Sequence, residues 1–168
     1  TAVLLLLFVG SHAYQYLSLQ FMWHDLGHMF RVIRAGHATG VFFSPDWQMD
    51  HMRQHFAPWF YGLGWLTSWV DHVGWFLLLH SLSMVGVVLT IGAYGRTFHP
   101  RAGLWFAAVA ACNPYLWALH LYPHWEVMGL GFLLLFGLCL RREALGLGLL
   151  CLALALTVKE DAWFYAFA

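Results

Sequence analysis

Charge is scarce in this chain. Only 10% of its 168 residues are charged, against about 25% in ordinary soluble domains. Eight basic residues are balanced by eight acidic ones, which excludes the basic footprint of a nucleic-acid binder and a polybasic arm for anionic lipid. Cysteine is nearly absent as well. Cys112, Cys139 and Cys151 lie inside apolar runs without CxxC or zinc-finger spacing, so no disulfide framework or thiol site is implied. No GxGxxG or Walker pattern occurs, which removes the usual nucleotide cradles. The opening run has neither a basic n-region nor a small-residue cleavage site, unlike a signal peptide. Apolar residues fill the space instead, at 61% of the chain, with aromatics at 18%. This is the composition of a membrane protein.

A helix crossing the hydrocarbon core needs about 20 predominantly apolar residues. The runs 1–19, 75–94 and 103–121 meet that need, the last with an internal Asn113-Pro114 that predicts a kink. The runs 127–140 and 144–158 are shorter, and cross if Glu126 and Lys159 sit at the interface of a thin region. A further span starts at 162. The expected fold is therefore all-α, a polytopic transmembrane helix bundle in one domain, and the N-terminal piece of a longer protein.

The segment 20–74 breaks the pattern with three Arg, four Asp and six His. Gly36, Gly40 and Ser44-Pro45 interrupt it. Its uncharged stretch Phe56–Val70 carries Pro58, Gly62, Gly64 and three tryptophans, which suits a helix at headgroup level. This reads as one large loop with interfacial helices. A competing count makes Phe56–Val70 a span and puts Asp25, Arg31 and Arg34 inside. Arg96, Arg101, Arg141 and Arg142 sit in short turns, and the positive-inside tendency makes those turns cytoplasmic. The loop, the turn Tyr122–Glu126 and Lys159–Asp161 then share the outer face.

Four motifs on that face can carry chemistry. Asp25, between His24 and Leu26-Gly27-His28, is either a general base at the rim or a cap on a helix Leu26–Ala35. Arg31 and Arg34 follow it, able to clamp a phosphate or simply to solvate a helix face. His55-Phe56-Ala57-Pro58 places an imidazole before a helix start. His120–Glu126 packs His124 and Glu126 into a tight turn, where an aromatic belt explains Tyr122 and Trp125 but not the carboxylate. Lys159-Glu160-Asp161 cannot share one helix face and so marks a helix end. The i,i+4 pairs His24/His28, His51/His55 and His120/His124 have a spacing that can seat a metal on a helix, but HExxH is missing and eleven His make chance pairs common. Gly129-x-Gly131 and Gly146-x-Gly148 read as helix-packing contacts.

Taken in order, Asp25-Leu26-Gly27, His55–Pro58, His124-Trp125-Glu126 and Lys159–Asp161 resemble the motifs of domain-of-unknown-function family 2079, predicted prokaryotic membrane proteins. The likeness departs at Trp125, where that family tends to have Pro, and in the loop after Gly27, where its usual Gln is missing. The family is in turn similar to membrane glycosyltransferases of the C superfamily. The resemblance implies a plasma-membrane enzyme that takes a sugar from a polyprenyl-phosphate donor to an extracytoplasmic acceptor, with membrane lipids and the donor as partners and no nucleic acid. It implies Asp25 as the catalytic base and Lys159 with Arg31 or Arg34 on the donor phosphate. His55, His124, Glu126, Glu160 and Asp161 would orient sugar or acceptor. A divalent metal serves some such enzymes and not others. The rival reading is a transporter or a lipid- or ion-binding membrane protein, which needs a polar path through the bundle; the spans offer it little beyond His12 and His80.

Overall fold

The computed structural model describes residues 1–18, 23–45, 48–54 and 57–158, and only the backbone of residues 23–26, 53 and 54. Helix dominates. Helices α1 (Ala2–Leu17) and α2 (Trp23–Thr39) are followed by a small hairpin, β1 (Phe43–Ser44) and β2 (Met49–Asp50). Then come α3 (His51–Gln54), α4 (Trp59–Thr67), α5 (Gly74–Arg96), α6 (Ala102–Ala111), α7 (Pro114–Leu121), α8 (Glu126–Arg141) and α9 (Leu145–Val158). The all-α expectation holds apart from the hairpin, which pairs Phe43 with Asp50 and Ser44 with Met49 in antiparallel register.

At 23 residues α5 is about 35 Å long. Among the described residues it is the one unbroken helix long and apolar enough to cross a membrane core. The run 103–121 is divided into α6 and α7, which meet at 50°. The break has a local cause. Asn113 turns extended and its Oδ1 accepts from the Tyr115 and Leu116 amides at 2.9 and 3.2 Å, while Pro114 starts a new helix at the position that needs no N–H. Counted together the bent pair is long enough for a second crossing. Helices α1, α8 and α9 have 16, 16 and 14 residues, so the five expected spans are not five full-length helices. Helix α4 has only nine, which is too short for the competing count that makes Phe56–Val70 a span.

Helices α1, α6 and α8 pack on α5, and α9 returns along α8. Between α5 and α6 the backbones touch: a Cβ on Gly103 would stand 2.7 Å from the Gly92 carbonyl oxygen, so side chains are excluded there. Gly129 and Gly148 also lie under close neighbours, Val158 and Cys139. The turn into α9 uses Glu143 at φ 57°, with the Ala144 amide donating to the Cys139 carbonyl at 2.9 Å, a C-terminal cap of the left-handed kind.

Two buried clusters result. One joins Phe8 of α1, Met84, Val85 and Val88 of α5, Ala110 of α6 and Val127 of α8. The other joins Val32 and Ile33 of α2, Phe42, Ala57, and Phe60 and Leu63 of α4 to Phe76, Leu77, Trp125, Met128 and Val158 at the helix ends. The segment between α1 and α5 is thus a packed layer on one end of the bundle. Two expectations change in detail. The helix expected at Leu26–Ala35 already includes Trp23–Asp25 and runs on to Thr39, so the Asp25 backbone is helical rather than at a cap just before Leu26. Of the three tryptophans, Trp65 and Trp69 are exposed, but Trp59 turns inward and its Nε1–H donates to the Met128 sulfur at 3.0 Å.

Gly36 shows how tightly the layer is fitted, because a Cβ there would overlap the buried Phe42 ring. Gly36→Ala should lower the stability of the detergent-solubilised protein by about 1–3 kcal/mol, as overpacked cores do, measured by thermal unfolding. An unchanged midpoint would mean that Phe42 yields freely. Asn113→Ala, which removes the cap on α7, should cost about 1 kcal/mol in the same assay.

Candidate functional site

The helix ends at the packed layer carry the rim motifs. Between α7 and α8 the chain turns in four residues, and His124 Nδ1 stands 3.0 Å from Glu126 Oε2. That is ion-pair distance, but the ring is not aligned for a linear hydrogen bond. Glu126 sits in the first turn of α8, where the helix dipole favours a carboxylate. The His124 ring stacks on Trp125 at 3.7 Å. Trp125 is itself buried and meets Phe60 and His51 edge-on. Arg31 and Arg34 lie on the exposed side of α2, opposite Val32 and Ile33. Arg34 is not unengaged, since its Nη2 pairs with Asp71 Oδ2 at 2.8 Å. That pair is about half exposed, and exposed pairs contribute little to stability.

The side chain of Asp25, together with His55, Lys159, Glu160 and Asp161, lies outside the described residues. Their chain neighbours do not. Ala57, two residues after His55, Trp125, between His124 and Glu126, and Val158, directly before Lys159, are all at most 2% exposed and share one cluster. Of the three i,i+4 histidine pairs only His120/His124 can be followed in full. His120 belongs to α7 and His124 to the turn after it, so they do not share a helix face. His28 points into the layer, within 3.3 Å of Ser44 Oγ, and His51 stacks on Phe60. His24 and His55 lie outside the described side chains.

A second polar site lies deeper. His12 of α1, His80 of α5 and His120 of α7 are buried together, each at most 2% exposed, and offer one ring nitrogen apiece within 4.8 Å of one another. His12 and His120 stack at 3.8 Å between centroids, and His80 lies 5.2 and 5.8 Å from them. Their hydrogen bonds assign the protons. Ser11 Oγ donates to the Phe8 carbonyl at 3.0 Å and therefore accepts from His120 Nε2–H at 2.7 Å. His12 Nε2 is 2.8 Å from the His120 carbonyl oxygen, which can only accept, so this nitrogen also carries its proton. His12 Nδ1 then accepts from Ser81 Oγ at 2.7 Å. His120 Nδ1 and both nitrogens of His80 have no hydrogen-bond partner among the described residues.

Neither the family models, nor curated proteins, nor solved structures match the chain. The likeness to family 2079 therefore rests on its four motifs.

Sequence reasoning missed this cluster because His12, His80 and His120 stand far apart in the chain, and His120 was read with the outer turn. One signal was available. His12 lies five residues before the end of α1 and His80 six after the start of α5, which gives both about the same depth. An imidazole with neither nitrogen bonded is costly to bury. In metal-free protein, His80→Leu should raise the unfolding free energy by about 1–3 kcal/mol. A loss of similar size, read from chemical unfolding in detergent, would show that His80 has a partner in the folded protein.

Proposed function

We propose that this chain is part of a polytopic membrane protein of the prokaryotic plasma membrane, similar to the C-superfamily glycosyltransferases, and that its outer rim transfers a sugar from a polyprenyl phosphate to an extracytoplasmic acceptor. The observation that carries the reading is the shared burial of Ala57, Trp125 and Val158. It brings Ala57, Trp125 and Val158, chain neighbours of His55, His124, Glu126 and Lys159, into one cluster. The membrane setting is supported by α5 and by apolar side chains left exposed around the helices, among them Leu6, Leu82, Leu104, Trp105, Val109, Leu147 and Leu150. An apolar groove of about 540 Å³, lined by Val87, Ile91, Trp105, Val109 and Leu134 among others, has the chemistry of a seat for an isoprenoid tail.

The reaction is an inverting displacement. Asp25 takes the proton of an acceptor hydroxyl as its oxygen bonds to the anomeric carbon. The bond from that carbon to the phosphate oxygen breaks, and the polyprenyl phosphate leaves with the electron pair. Lys159 and Arg31, with Arg34 drawing on guanidinium donors not used by Asp71, stabilise the charge on the departing phosphate. His55, His124, Glu126, Glu160 and Asp161 position sugar and acceptor. The rival conduit would need ionisable groups spaced across the bundle. Among the described residues, the buried histidines are His12, His80 and His120 in one cluster and His28 and His51 in the layer at the helix ends, so no line of them crosses the bundle.

Asp25→Asn keeps the size of the side chain but cannot accept the proton. In membranes supplied with polyprenyl-phosphate hexoses, it should lower transfer by about 10²–10⁴-fold without changing the unfolding midpoint. Turnover at the unsubstituted level would remove Asp25 as base. An absence of transfer by the unsubstituted protein with every such donor would remove the reading itself.

A further inference from the structure

We propose that His12, His80 and His120 form a binding site for one transition-metal ion of the class that prefers imidazole, with Zn²⁺ as the natural occupant. The site is separate from the rim and does not depend on the sugar-transfer reading. Three imidazoles from α1, α5 and α7 converge with nitrogens within 4.8 Å. His80 is fully buried, and neither of its ring nitrogens has a partner among the described residues. A buried polar group with no partner calls for one that protein atoms do not supply, and three histidines with a fourth position open match the donor sets zinc uses.

The surrounding bonds are those a metal site needs. Metal-bound histidines give their second N–H to an oxygen that fixes the ring and tautomer. His120 Nε2–H goes to Ser11 Oγ and His12 Nε2–H to the His120 carbonyl oxygen. Both rings thereby present Nδ1 as the lone pair, and on His120 that nitrogen is unpartnered. On His12 the Ser81 hydroxyl must be displaced from Nδ1, and it has the Leu77 and Phe8 carbonyl oxygens to fall back on at 2.9 and 3.3 Å. Nitrogens bonded to one tetrahedral ion at about 2.0–2.1 Å stand about 3.4 Å apart, so the widest pair must close. His80, whose nitrogens hold no hydrogen bond among the described residues, is the ring that can turn toward the other two without breaking one.

The test uses protein purified through a tag without histidine, stripped with chelator and titrated with Co²⁺ as a spectroscopic stand-in for zinc. One equivalent should bind with the intense visible absorption of tetrahedral cobalt, and Zn²⁺ should displace it. His80→Gln should weaken binding by about 100-fold or more, and Ser11→Ala, which only frees the second shell of His120, by about 10-fold. His99→Gln, at an exposed turn, should change nothing. X-ray absorption of the unsubstituted zinc form needs no variant, and should give three imidazole nitrogens at about 2.0–2.1 Å. Absence of stoichiometric binding, His80→Gln binding as tightly as the unsubstituted protein, or a zinc shell with fewer than two imidazoles would each overturn the proposal.

Discussion

Every other feature depends on the packing of shorter helices around α5. Apolar residues are spread over all its faces, yet more than half of its membrane-length stretch is buried by its neighbours. Phe76, Leu77, Met84, Val85, Val87 and Val88 are each at most 5% exposed, while Leu78, Leu82 and Leu89 face outward. Where α6 must come closest, Gly92 and Gly103 remove the side chains that would hold it away. Where α1 and α7 approach, small hydroxyls and imidazoles take their place. Ser11 bridges His120 to the Phe8 carbonyl and Ser81 donates to His12, so the polar cluster is held by the same contacts that pack the helices. A change that tilted α1 or α7 against α5 would loosen the core and the histidines together.

The bend at Asn113 has a structural consequence of the same kind. A straight helix over 103–121 would leave no independent setting for its last two turns. The cap and Pro114 let α7 depart by 50°, and it is α7 that carries His120 to His12 and His80. The polar layer above completes the arrangement. By packing Phe60 and Ile33 against Trp125 and Val158, it ties the segment before α5 to the ends of α8 and α9. The apolar contacts, not ion pairs, hold that layer. Its described pairs, Arg34–Asp71 and His124–Glu126, are both partly exposed and too screened to contribute much.

Much of this architecture can be read from local chemistry. The run 75–94 has the length and apolarity of a span, the Asn113-Pro114 pair announces the break, and the Arg-bearing turns mark helix ends. These are one-dimensional signals: hydropathy over a window, a missing N–H, a capping side chain. Legibility fails where a property depends on what packs from elsewhere. Trp59 and Trp65 sit six residues apart in one apolar stretch, yet one donates to Met128 and the other is exposed. The hairpin at Phe43–Asp50 is two residues per strand, too short for any alternation to show. The rim motifs were legible as residue types, but the shared burial of Ala57, Trp125 and Val158 was not.

The sequence by itself determined an all-α chain, poor in charge, whose apolar runs become helices and whose ionisable residues cluster at their ends. Composition and spacing suffice for that, because helix formation and the cost of burying charge act over a few neighbouring residues. Only the tertiary structure decided that His12, His80 and His120 belong together and that the i,i+4 spacing of His120 and His124 does not. The first three are 68 and 40 residues apart in sequence and meet because three helices cross at similar depth. The pair four apart is separated because the helix ends between them, at Leu121. Sequence distance fixes spatial distance only while one helix continues.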